Sequence, residues 1–260
     1  MQIDNKKYLE TIAEIQRKYP YDTLPVMAKE KFINEILLRL SWNTNALEGN
    51  TLSLEETVDG ILYDEVRSGH TFSEYREAKS AYRAFSELLS FDRKRETDLD
   101  FIRRGNALIM DSDGAFRDHQ VYIGTLAEVA YTPDRPENIA ADMNQFISEL
   151  KATERDLART PGAIAVVMRR IAELHIRFEM IHPFADGNGR TGRLIMDQLL
   201  LNAELLPSVI TNQSRYRQAF RIYERNGGTD LMEHAILSGV TKSYEVLEQV
   251  CKALEIRGFS

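Results

Sequence analysis

Apolar residues recur at helical spacing through most of this chain, and that periodicity constrains its fold more than any other feature. Tyr8, Ile12 and Ile15 stand four and three residues apart ahead of Pro20. Phe32, Ile33, Ile36, Leu37, Leu40 and Thr44 fall on one face of a helix, which Pro25 can open and Gly49 can close. Ser53 to Glu56 and Thr71 to Glu74 have capping-box spacing, which predicts short helices starting near 54 and 72. Further helical windows run near 74–91, 97–111, 137–153, 161–180, 188–203, 214–226 and 229–255. Only His119 to Gly124 has strand character, with β-branched and aromatic residues beside a glycine, and it suits a small hairpin better than a sheet. The expected fold class is all-α, mainly helical, with one small β-hairpin.

Composition narrows the partners. The 260 residues carry 33 Lys and Arg against 40 Asp and Glu, a formal charge of −7. Such a balance argues against a nucleic-acid backbone as main partner, since non-specific affinity for it needs clustered cations. An apolar fraction of 43% supports a sizeable core. The single cysteine, Cys251, excludes an internal disulfide framework and a multi-cysteine zinc site. The first twenty residues hold no apolar signal region, and no stretch approaches the roughly 20 apolar residues a membrane span needs. A cytoplasmic protein with no membrane and no nucleic-acid partner is expected. Any site for an anionic ligand has to be local.

Residues 181–193 provide such a site. Pro183 ends the helix before them, and Gly187 and Gly189 lead into the next. These glycines present backbone N–H groups at the positive end of the following helix, which suits phosphate. Arg190 and Arg193, three apart, offer two guanidinium forks on one face of that helix's first turn. Asp186 supplies a hard oxygen for Mg²⁺, which binds one or two carboxylates together with substrate phosphates. His182 titrates in the range needed to take a proton near neutral pH. Together these groups fit phosphoryl or nucleotidyl transfer. Residues 187–192 also satisfy G-x-G-x-x-G, but a helical segment rather than a strand precedes them, so the dinucleotide reading fails.

His182 to Arg193 matches the Fic-domain signature, H-P-F-x-D/E-G-N-G-R-x-x-R, at every fixed position. The resemblance extends to Leu174-His175 before the motif and to Val121, Tyr122, Ile123 and Gly124, which look like the family's target-docking flap. It also takes in Arg117 and Pro133 around that flap, and Tyr216 to Phe220. Thr125 stands where a second flap glycine is common. The resemblance implies a Fic fold and transfer of AMP from ATP to a protein hydroxyl. His182 would be the general base, Asp186 the Mg²⁺ ligand and Phe184 the anchor of the loop. Gly187, Asn188, Gly189, Arg190 and Arg193 would hold the phosphates, and Tyr216 would belong to the nucleotide site. His175 reads as a core histidine satisfied by a backbone carbonyl, and Trp42 as core.

Upstream, Thr44 to Gly49 resembles the Fic inhibitory motif, Ser/Thr-x-x-x-Glu-Gly/Asn. A glutamate at a helix C-terminus opposes the helix dipole and calls for a cation nearby. The resemblance makes Glu48, with Thr44 and Gly49, an inhibitor that pairs with Arg193 at the γ-phosphate position. The resulting division is an N-terminal helical region over 1–95 bearing this motif, a catalytic core over 96–226 and a helical tail over 227–260. The 34 residues after Asn226 are too few for the winged-helix domain some relatives carry. The leading reading is a self-inhibited protein adenylyltransferase acting on a Tyr, Ser or Thr of a target protein or itself, with homo-oligomerisation open. The alternatives are removal of AMP from a modified protein and a non-catalytic nucleotide-sensing module. Phosphate transfer of the Doc kind is disfavoured by Gly189, where that branch usually has lysine.

Overall fold

The computed structural model describes residues 5–92, 94–124, 129–159 and 164–258. Ten helices form among them: α1 (Lys6–Lys18), α2 (Val26–Leu47), α3 (Leu54–Leu62), α4 (Phe72–Leu88), α5 (Leu99–Met110), α6 (Ile139–Arg159), α7 (Ile164–Ile181), α8 (Asn188–Asn202), α9 (Gln213–Asn226) and α10 (Asp230–Ala253). Both capping boxes form: Glu56 N–H donates to the Ser53 hydroxyl and Glu74 N–H to the Thr71 hydroxyl, with the reciprocal glutamate bonds present. The two short strands β1 (Ile123–Gly124) and β2 (Val129–Tyr131) pair antiparallel, Ile123 opposite Tyr131 and Gly124 opposite Val129. Val121 and Tyr122 precede β1 rather than extend it, and Thr125 lies outside the described residues.

The expected α2 stripe is the one that buries: Phe32 and Ile36 are fully enclosed and Leu40 nearly so. At roughly 1.5–3 kcal/mol for each large apolar side chain removed from water, this face fixes the body of α2 in the protein. Trp42 departs from expectation. It is only half-buried, and its indole N–H donates to Leu52 O at 3.0 Å. Helix α8 is enclosed on nearly every side, from Asn188 and Arg190 through Leu200. One apolar core runs from Ile12 to Cys251, so the N-terminal helices and the tail pack into the same interior as α5 to α8. No helix among the described residues is long and apolar enough to cross a membrane.

Candidate active site

Helix α7 stops at Ile181 because Pro183 lacks an N–H and restricts the residue before it. His182 takes a left-handed φ of 51° there, and its N–H donates to Phe178 O at 3.1 Å. That turn brings imidazole Nδ1 within 3.2 Å of Glu179 O. A carbonyl only accepts, so Nδ1 carries the proton and Nε2 is left as the acceptor. Burial pulls the His182 pKa below its ordinary value despite the Glu179 carbonyl, and the Arg117 charge adds to the lowering. The imidazole is therefore neutral at pH 7, the form a general base needs.

Arg117 sets the height of this turn. Its guanidinium donates to His182 O (2.8 Å), His119 O (3.0 Å) and Asp134 O (2.6 Å), while its N–H donates to Pro183 O (2.9 Å). One buried side chain thus joins both ends of the hairpin segment to the loop. The sequence marked Arg117 only by its position beside the hairpin.

The loop closes on itself. Phe184 N–H donates to Asn188 Oδ1 at 2.9 Å, and Asn188 Nδ2 returns to Phe184 O at 2.8 Å. Both ends of the Asn188 amide are thus committed to the loop, and its backbone N–H opens the first turn of α8. Phe184 is the expected anchor, buried against Phe116 and Phe178 with ring centroids 5.4 and 6.5 Å away. Gly187 has φ 77°, and a Cβ on it would lie 2.7 Å from Met110, so both conformation and space require glycine. Its N–H donates to Asp186 Oδ1 at 2.5 Å, which leaves the phosphate cradle to the first turn of α8, where N–H groups have no intrahelical acceptor. Asn106 Nδ2 donates to Asp186 O at 2.9 Å, a second support that the sequence did not single out.

Asp186 presents a carboxylate whose side chain is 72% exposed. No group of three or more His, Cys, Asp or Glu able to hold a metal occurs among the described residues. This donor set suits Mg²⁺ held by one carboxylate and a substrate's phosphates, and does not suit an all-protein metal cage. Arg190 and Arg193 take different partners in the structure. Arg190, in the first turn, reaches Met110 Sδ at 3.1 Å and lies 3.7 Å from Asp186; its buried Nε has no partner. Arg193, one turn on, is drawn the other way, toward α2 and α9.

Arg193 is 3% exposed and uses its whole fork. Nε donates to Thr44 Oγ1 (2.8 Å), Nη2 to Thr44 O (3.0 Å) and Glu48 Oε1 (2.5 Å), and Nη1 to the Tyr216 hydroxyl (3.1 Å). The cation demanded by Glu48 at the end of α2 is thus Arg193. Burial pushes the Glu48 carboxyl up, but Arg193, followed by Arg190 and Arg217, outweighs it and holds the group below its usual range. Gly189 makes room for this carboxylate, since a Cβ there would collide with it. Gly49 has φ 102°, as the closing glycine of α2 should.

Behind Arg193, the Tyr216 hydroxyl bonds His175 Nε2 at 2.6 Å. The phenol thus joins the expected backbone partner, Gly192, whose bond opposes the lowering of the His175 pKa. Burial, reinforced by Arg193, drives the His175 pKa down to about 3 and keeps the ring neutral. Glu179 is pushed up to about 8, mainly by burial, with Arg193 opposing and Glu48 adding to the rise. A cavity of about 520 Å³ opens here between Ile123 and Tyr131 of the hairpin, Glu48 and Arg193, and Tyr216 and Phe220 of α9. That volume is within the range of small-molecule sites. His182, Asp186 and Arg190 are not among its lining residues. Arg217 is on its wall, whereas Arg215 turns away to His234, 2.8 Å off.

Residues 96–200 match the Fic/DOC family. Protein adenylyltransferase fic-1 of Caenorhabditis briggsae is 27% identical over 233 residues, covering 86% of this chain and 43% of that protein. Protein adenylyltransferase Fic of Aedes aegypti is 28% identical over 207 residues, covering 74% and 37% respectively. The chain therefore spans about two fifths of the length of these curated relatives. Among solved structures, a Fic domain containing signaling protein from Bacteroides thetaiotaomicron superposes with a TM-score of 0.76 at 21% identity, covering 95% of this chain and 96% of that one. Fic-1 from C. elegans gives a TM-score of 0.70 at 19% identity, covering 95% and 72%. Residues 96–200 thus match Fic/DOC, and the chain shares the fold of solved Fic proteins.

Proposed function

We propose that this chain is a self-inhibited protein adenylyltransferase that moves AMP from ATP to a Tyr, Ser or Thr hydroxyl of a target protein or of itself. The observation that carries the reading is a neutral His182 on an anion-binding helix start whose nearby arginine, Arg193, is held by Glu48. The adenylyltransferase names of the relatives support AMP as the group transferred.

In this reading the first turn of α8, Arg190 and Arg193 bind the phosphates of ATP. His182 Nε2 accepts the proton of the target hydroxyl, and its oxygen attacks the α-phosphorus. The bond to the bridging oxygen breaks, and pyrophosphate leaves with that electron pair. Negative charge grows where helix N–H groups and guanidinium forks converge, which lowers the barrier. Asp186 would hold Mg²⁺, which would neutralise charge on the phosphates. The β1–β2 hairpin would align an extended segment of the target by pairing with it. The region over 1–95 would supply the inhibitor, 96–226 the chemistry and 227–260 a structural tail.

Glu48 occupies the guanidinium that the terminal phosphate of ATP requires, so ATP enters non-productively until Glu48 withdraws. Intact-protein mass spectrometry of Glu48→Gly incubated with ATP and Mg²⁺ tests the proposal. The expected product gains the mass of AMP and fails to form in excess EDTA. A gain of one phosphate would reassign the group transferred, and an unmodified protein and target would sink the transferase reading.

A further inference from the structure

Release of Glu48 has to be local, because the body of α2 is fixed. Phe32 and Ile36 are fully buried, and the Asn43 amide is closed on Ile210, donating to its carbonyl at 2.7 Å and accepting from its N–H at 2.9 Å. Thr44 is held in turn by Arg193, so only the residues beyond it remain to move. The last turn of α2 ends in a Schellman arrangement: Asn50 N–H donates to Asn45 O (3.0 Å) and Gly49 N–H to Ala46 O (3.1 Å). These bonds use the carbonyls of Asn45 and Ala46 and leave that of Leu47 over.

Helix α9 supplies the missing donors. Gln213 Nε2 lies 3.1 Å from both Ala46 O and Leu47 O, and Arg217 Nη2 donates to Leu47 O at 3.0 Å. Leu47 directly precedes Glu48, so these side chains set where the inhibitory residue stands. Gln213 is itself placed firmly: it is the first residue of α9, directly after Asn212, whose side chain caps that helix by accepting from Arg215 N–H at 2.9 Å.

We infer that Gln213 is a positioning residue for inhibition: it clamps the end of α2 so that Glu48 meets Arg193, and losing the clamp opens the latch. The inference rests on the self-inhibited transferase reading and extends it to a residue outside both the inhibitory motif and the catalytic loop. Gln213 touches neither Arg193 nor the loop in any bond described above, so its effect has to pass through Glu48.

The test is a set of initial rates of AMP transfer from labelled ATP, using the full chain. Gln213→Met keeps the length of the side chain and removes its donors; Gln213→Lys keeps a donor. Each is made alone and together with Glu48→Gly. Gln213→Met is expected to raise the rate roughly three- to tenfold, the worth of an ordinary hydrogen bond, with a melting temperature no more than about 4 °C below wild type. Gln213→Lys is expected to stay close to wild type. In the Glu48→Gly background, Gln213→Met is expected to change nothing, an outcome that a merely structural role would not give. A silent Gln213→Met beside an active Glu48→Gly overturns the inference alone, as does an equal rise in both backgrounds. Absence of transfer by Glu48→Gly overturns the transferase reading and this inference together.

Discussion

The loop before α8 and the last turn of α2, proposed as catalytic loop and inhibitor, lie on either side of Arg193 and are secured in different ways. The loop is closed largely by its own residues, with Asn188 bonded to both Phe184 N–H and Phe184 O and Asp186 capping Gly187, while Arg117 and Asn106 add buried bonds from outside. The inhibitory turn is held from outside, by side chains reaching over from α8 and α9, and its glutamate side chain is 43% exposed. Buried networks are costly to open because each orphaned group is left in a low dielectric. A half-exposed carboxylate surrenders its partner to water at little cost. On the proposed function, the contrast makes the phosphate site permanent and the inhibitor detachable. Arg193 is built for this: Thr44 and Tyr216 still hold its fork when Glu48 leaves.

Replacing His182 is the largest expected disturbance. In a Glu48→Gly background, His182→Ala should lower the rate of AMP transfer by roughly 10²–10⁴, the usual worth of a general base, at unchanged melting temperature. A loss of less than tenfold would remove His182 from the proton-transfer role.

The permanence of the loop is tested by stability. Asn188→Ala strands the Phe184 N–H and carbonyl in the interior, and about 3 kcal/mol should be lost, a fall in melting temperature of about 6–12 °C. Glu48→Gln, which removes the charge facing Arg193 and leaves Thr44 and Tyr216 on its fork, should cost less, about 1.5 kcal/mol. Equal losses in calorimetry would erase the distinction between the two regions.

Titration should separate them further. Glu48 is held below the ordinary carboxylate range, so its pair with Arg193 persists above that range and is lost only as pH falls through the lower value. Inhibition of the wild type should therefore be constant between pH 6 and 8. The His182 base is competent when deprotonated, and its pKa is depressed. The rate of Glu48→Gly should hold as pH falls to about 6.5 and decline only below it. A midpoint above that value in the pH–rate profile would contradict the buried, carbonyl-bonded imidazole.

The smallest effect is expected at Glu179. With its pKa pushed up to about 8, it is neutral at pH 7 and becomes a carboxylate in the cavity only at higher pH. Glu179→Gln should change ATP affinity less than twofold at pH 7 and abolish any weakening above pH 8. A large change at pH 7 would mean that Glu179 is already ionised beside Arg193.

Much of this was legible in the sequence because it is local. The α2 stripe, the two capping boxes and the Pro183 stop depend on neighbours within a turn, and each forms where spacing put it. The Glu48–Arg193 pair spans 145 positions but left two traces, a dipole-opposed glutamate and a resemblance to an inhibitory motif. Other features had no local signal. Arg117 reaches His182 across 65 positions, Asn106 reaches Asp186 across 80 and Tyr216 reaches His175 across 41. Asn188 shows a different limit of the sequence. Its bond to Phe184 is local, but a polar residue between two glycines at a helix start also looks like a phosphate ligand, and spacing cannot separate those roles. Gln213 escaped notice because a glutamine opening a helix is ordinary until the carbonyls it meets are known.

The central claim is that one buried arginine serves either Glu48 or the terminal phosphate of ATP. Initial rates of AMP incorporation by wild type and Glu48→Gly, measured side by side with ATP and Mg²⁺ at pH 7, test it most directly. The account expects the variant to exceed the wild type by at least roughly tenfold, the worth of one charge-assisted hydrogen bond. Equal incorporation by the two proteins would contradict it.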